Sequence, residues 1–198
     1  MALPPELHRR ISKDDVNALP VRRYEGEVRL VEAPADLERA LADLRREAVV
    51  GFDTETRPAF WPGESYLPSL VQIATAREVY LFQVQRQDFS APLAEVFSSG
   101  AIVKAGVSVA DDLRGLKKLF AFDEKNVLDL GTVAKRHGLK QSGVRTLTGL
   151  FLGFRIPKGT KTSNWAARHL SPQQLAYAAT DAWACRELFL RFKELELL

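Results

Sequence analysis

Residues 49–58, VVGFDTETRP, begin like a buried strand and end in charge. Val49, Val50, Gly51 and Phe52 are small or apolar, yet Asp53 and Glu55 follow one residue apart. Side chains of a strand alternate between its faces, so Asp53 and Glu55 point the same way as Val49 and Gly51. Val50, Phe52 and Thr54 point the other way. Two like charges on one face repel unless something neutralises them. Hard carboxylate oxygens suit Mg²⁺ or Mn²⁺. A strand end that reaches solvent accounts for the pair equally well, so its meaning depends on partners elsewhere in the chain.

The flanking sequence places this strand within an α/β pattern. Upstream, residues 26–33 (GEVRLVEA) read as a strand. Residues 34–47 read as a helix opened by Pro34, with Leu37, Leu41 and Leu44 at helical spacing. Residues 1–25, broken by Pro4, Pro5 and Pro20, read as an irregular arm. Downstream, a polar loop containing prolines leads to two strands, 69–76 and 78–84, joined tightly at Arg77. A short helix, a strand at 101–107, a helix at 108–120 and a last short strand at 126–130 follow. The remainder reads as mostly helical and ends in a long helix from Pro172. The expectation is one α/β domain over 26–198, with a mixed five- to six-stranded sheet flanked by helices on both faces.

Composition narrows the function classes. The chain of 198 residues is 46% hydrophobic and 27% charged, an ordinary globular balance. It has no secretory h-region and no apolar run near the ~18 residues that span a bilayer. One cysteine, Cys185, excludes an internal disulfide, and a cytoplasmic location without membrane contact is expected. The net charge of +3 hides an asymmetry. Residues 131–170 hold eight Lys or Arg and no acid, whereas the rest of the chain has 20 basic and 25 acidic residues. Such a segment suits a polyanion, although a solvated basic face has the same composition.

Two more acids stand out by their periodicity. Asp111 and Asp112 are adjacent on the helix at 108–120, where Ser108 reads as the N-cap. Asp111 shares a face with Arg114 and Lys118, an outward polar row. Asp112 shares a face with Leu116 and Leu119, an inward row on which a carboxylate is costly unless paired or bound to a cation. On the last helix, Ser171 and Gln174 fit a capping box and Pro172 takes the first helical position. Tyr177 and Asp181 follow at i and i+4, and Asp181 is the one charge on an apolar stripe. Taken alone, each acid also has a purely structural explanation.

The ordered combination is more specific. Asp-x-Glu on a strand, Asp on a middle helix and Tyr-x-x-x-Asp on the last helix are separated by 59 and 69 residues. With LVQIAT, VKAGVSVADDL and TSNWAARHLSPQQLAYAATDAWA, the chain resembles the tyrosine-bearing branch of the DEDD 3′–5′ exonucleases. It is similar to the Werner-syndrome-type exonuclease domain and to ribonuclease D. The resemblance implies a ribonuclease-H-like fold and a metal-dependent phosphodiester hydrolase that acts on 3′ ends of single-stranded DNA or RNA. It implies that Asp53, Glu55, Asp112 and Asp181 hold two divalent cations, Mg²⁺ or Mn²⁺, and that Tyr177 orients the attacking water. The SNW stretch and the lack of a following helical domain lean the expectation toward DNA. A catalytically silent binding module on the same fold, a ribonuclease D-like RNA 3′-end processor and a ribonuclease H-type endonuclease are the competing readings.

Lesser candidates surround these five residues. Thr54 sits between the first two acids, where the resemblance implies contact with the terminal nucleotide, mainly through its backbone. Lys161, Asn164 and Trp165 precede the last helix. Lys161 could contact phosphate, and Trp165 could stack on a base or wedge its loop onto the core. Asp129 reads as a helix cap.

Overall fold

The computed structural model describes residues 10–158 and 163–198. Six strands form one sheet: β1 (Glu27–Leu30), β2 (Val49–Glu55), β3 (Leu70–Ala74), β4 (Glu78–Phe82), β5 (Val103–Gly106) and β6 (Val127–Asp129). Their order is β1-β4-β3-β2-β5-β6. β2, β3 and β4 run antiparallel as a meander, and β1, β5 and β6 join in parallel pairs. The mixed sheet expected from the sequence is therefore observed, with β2 near its centre.

Helices cover both faces because the apolar residues of each strand alternate. Val50, Phe52, Val71, Ile73, Tyr80 and Phe82 pack against α2 (Pro34–Leu44), α3 (Ser90–Ser98) and α4 (Ala110–Leu119). Leu70, Ala74, Val79 and Leu81 point the other way, onto α7 (Pro172–Glu194). α5 (Leu130–Arg136) and α6 (Val144–Leu152) complete that second layer beside α7. Lys104 lies fully inside the sheet, where its Nζ donates to the carbonyls of Ser99 and Ile102 at 2.7 and 2.9 Å. Among the described residues, no helix is long and apolar enough to cross a membrane.

Two local readings are corrected. The segment read as irregular contains a helix, α1 (Lys13–Ala18), closed by a capping box between Ser12 and Asp15. The prolines drew the reading, while the S-x-x-D signal in their midst is sufficient for one short helix. Ile11 and Val16 are buried, and the Ile11 amide and carbonyl bond the Gln141 side chain at 3.0 and 3.1 Å. Ser108 is also not the cap of α4. Val109 takes that place, and Ser108 adopts φ 63° with its N–H donating to Asp129 Oδ1 at 3.2 Å.

Candidate active site

Strand β2 delivers Asp53 and Glu55 to the face covered by α7. Gly51, on the same face, lies so close to this helix that a Cβ there would sit 2.0 Å from the Ala182 carbonyl oxygen and 2.6 Å from the Arg186 nitrogen. Only glycine admits this approach. Asp181, next to Ala182, is thereby laid beside the end of β2 and is 3% exposed. One carboxylate oxygen from each of Asp53, Glu55 and Asp181 lies within 4.8 Å of the others.

Asp112 reaches this centre from the opposite layer. The periodicity argument holds in the fold: Asp111 is exposed and paired with Arg114, while Asp112 is half-buried. Thr54, which faces away from Asp53 and Glu55, donates its hydroxyl to Asp112 Oδ1. Asp112 thus stands outside the group of three and is tied to β2 through Thr54. The sequence reading gave the Thr54 side chain little weight, yet it makes this link. Its own backbone N–H donates to Asp53 Oδ1 at 2.9 Å.

The charges do not fit together without help. Burial first, and then the charges of Asp181, Asp112 and Glu55, push the Asp53 carboxyl well above its usual range. Burial and the charges of Asp181 and Asp112 raise Glu55 to about 8. Burial raises Asp181 to about 6, although the nearby Tyr177 hydroxyl acts in the other direction. Asp181 Oδ1 is buried with no hydrogen-bond partner among the described residues. An orphaned carboxylate oxygen amid crowded acids is a donor set suited to a divalent cation, so these residues fit the expected metal.

Tyr177 lies one turn before Asp181, and its ring packs tilted against Trp165 with centroids 6.0 Å apart. Burial, followed by the Asp181 charge, raises its phenol above the usual value, so the hydroxyl stays neutral near pH 7. Trp165 is 3% exposed within the cluster that includes Leu170, Ala178 and Ala179. A ring so covered offers no open face for a base, and it acts as the wedge that seats its loop. Asn164 secures the same loop: its carbonyl accepts from Gln174 Nε2 at 3.2 Å, and its Oδ1 accepts from the Ala166 N–H at 3.2 Å. Lys161 lies outside the described residues. Asp129 caps α5 by accepting from the Thr132 N–H at 3.1 Å.

One neighbour was missed. Gln72 stands directly opposite Asp53 in the β2–β3 register and is fully buried, with neither amide atom partnered among the described residues. Its sequence signal is the single polar residue inside LVQIA, which strand patterning alone passes over.

The fold and this constellation define a class of nuclease, and comparison with known proteins bears that out. Residues 28–195 match the family described as 3'-5' exonuclease, and the chain belongs to that family. It is 29% identical over 202 residues to the exonuclease mut-7 homolog of Aedes aegypti, covering 89% of this chain and 28% of that protein. It is 30% identical over 164 residues to ribonuclease D of Acidiphilium cryptum, covering 81% of this chain and 41% of that one. The chain thus spans less than half the length of these curated relatives. The crystal structure of the Aedes aegypti Nibbler EXO domain superposes with a TM-score of 0.76 at 27% identity, covering 90% of this chain and 93% of that one.

Proposed function

We propose that this chain is a metal-dependent 3′–5′ exonuclease that shortens single-stranded nucleic acid to 5′-mononucleotides with two divalent cations. The observation that carries the reading is the convergence of Asp53, Glu55 and Asp181, one oxygen of each within 4.8 Å, in a chain of the 3'-5' exonuclease family. Asp53, Glu55 and Asp181 would hold the cation on the nucleophile side, and Asp53 with Asp112 the other. Cations held there supply a water of lowered pKa and offset charge on the leaving 3′-oxygen. Thr54 fixes the Asp112 carboxylate by its hydroxyl. Tyr177 keeps its proton one turn before Asp181, because burial and the Asp181 charge hold its phenol above the usual value. Its oxygen then has lone pairs free to accept from the attacking water, which sets the water's orientation without removing a proton.

DNA and RNA are both within the reading. The similarity to a ribonuclease D favours RNA, while the sequence leaned toward DNA. The test is degradation of 5′-labelled and 3′-labelled single strands of each polymer with Mg²⁺, Mn²⁺ or EDTA. A metal-dependent ladder from the 5′ label, with mononucleotide released from the 3′ label, is expected. Binding without cleavage of either polymer would replace this reading with that of a silent binding module. Cutting of a circular single strand would replace it with that of an endonuclease.

A further inference from the structure

The N-terminal arm contributes more than a cap to the fold. Its last part is pinned at two points. The Arg22 N–H donates to the Arg155 carbonyl at 2.9 Å, and the Arg22 guanidinium lies 5.5 Å from the centre of the Phe154 ring. The Tyr24 N–H donates to Thr180 Oγ1 at 3.1 Å, and its hydroxyl to the Arg77 carbonyl at 2.8 Å. Arg23 lies between these anchors and is exposed. It lines a cavity of about 290 Å³ together with Lys158, Gln173 and Tyr177. The cavity therefore opens onto Tyr177, one turn before Asp181 on α7.

A second cavity, of about 350 Å³, shares Lys158 as a wall and is lined by Lys13 and Arg145 from α1 and α6. Arg145 Nε is buried without a partner among the described residues, while its Nη2 donates to Asn17 Oδ1 at 3.1 Å and no carboxylate pairs with it there. No carboxylate lines either cavity among the described residues. Neither Arg23 nor Lys158 has an ion-pair partner among those residues. Four cations thus follow one another from Tyr177 outward, along the seam between the arm and helices α6 and α7. Charges without an ion-pair partner among the described residues, beside open space and connected to the proposed site for phosphodiesters, match a flexible polyanion laid along the seam.

We propose that Arg23 and Lys158, continued by Arg145 and Lys13, form a track for the backbone phosphates of the single strand upstream of the scissile bond. The inference rests on the exonuclease reading for what occupies the acidic end.

The test compares an octanucleotide, which carries upstream phosphates, with a dinucleotide, which carries only the scissile one. Equilibrium binding of both to the full chain is measured with Ca²⁺ across a salt series. Arg23→Ala with Lys158→Ala is expected to weaken the octanucleotide about tenfold and the dinucleotide less than about twofold. It should also lower the salt slope by about 0.7 per cation removed. Arg23→Lys with Lys158→Arg should retain the length gain, and Lys118→Ala, exposed on α4, sets the background for loss of a surface charge. An unchanged length gain in the double alanine variant, or equal weakening of both ligands, would overturn the track. Cleavage is read separately with Mg²⁺. A length gain that depends on these cations without cleavage would keep the track and remove the exonuclease reading.

Discussion

At the scale of single residues, the two adjacent acids of α4 provide the sharpest contrast. Asp111 pairs with Arg114 at the surface, and Asp112 accepts from Thr54 beside the acidic centre. Asp112→Asn is expected to lower kcat by about 100-fold or more, and Asp111→Asn by less than about twofold, in steady-state degradation of a labelled strand. Equal effects would mean that Asp112 does not belong to the site. Asp181→Asn should show the opposite of a stability defect. It removes a charge that Asp53 and Glu55 resist, so the melting temperature in EDTA near pH 8 should rise while activity collapses. Tyr177→Phe should lower kcat by about 10- to 100-fold and leave KM nearly unchanged, because the lost hydroxyl orients water and does not bind the strand. A KM effect with intact kcat would assign Tyr177 to binding.

At the scale of elements, the long helix and the central strand determine the site together. A methyl group on Gly51 would meet the main chain of α7 and not a side chain that could swing away. Gly51→Ala is therefore expected to destabilise by about 3 kcal/mol or more and to weaken metal binding, read by denaturant unfolding and by metal titration. Unaltered stability would show that α7 can move off the sheet at no cost. The same scale explains what the sequence could convey. Asp-x-Glu and Tyr-x-x-x-Asp were legible because each places its groups by the period of one element. The inward row of Asp112 was legible for the same reason. The cap of α4 was not, because the competing bond from the Ser108 N–H goes to Asp129, 21 residues away. Gln72 was passed over because its significance comes from lying opposite Asp53, a matter of register between two strands. The arm's helix was hidden by the prolines around it. Its docking depends on Gln141, 130 residues from Ile11.

At the scale of the whole molecule, the acidic centre links stability to pH. Glu55 is raised to about 8 from an ordinary 4.5, and Asp181 to about 6 from 3.8. The folded state therefore binds these protons more tightly than the unfolded chain. Their contribution to metal-free stability is complete below the ordinary values and is lost as pH climbs through the raised ones, across about pH 4 to 8. The melting temperature in EDTA should fall over that window. If the acidic centre holds the cation as proposed, added Mg²⁺ would displace the same protons, so the gain in melting temperature it confers should grow with pH, as should activity. A metal-induced gain independent of pH would mean that the ion binds elsewhere.

The contact at Gly51 has a wider consequence. The gap between the carboxylates is set by two main chains touching, a strand and a helix held at the thickness of their own backbones. It works as a gauge block at the one place where strand and helix meet without a side chain on the strand. The apolar layers around it can be rebuilt with other residues without resetting the gap. What the chain has to preserve there is an omission, one position at which nothing may be added.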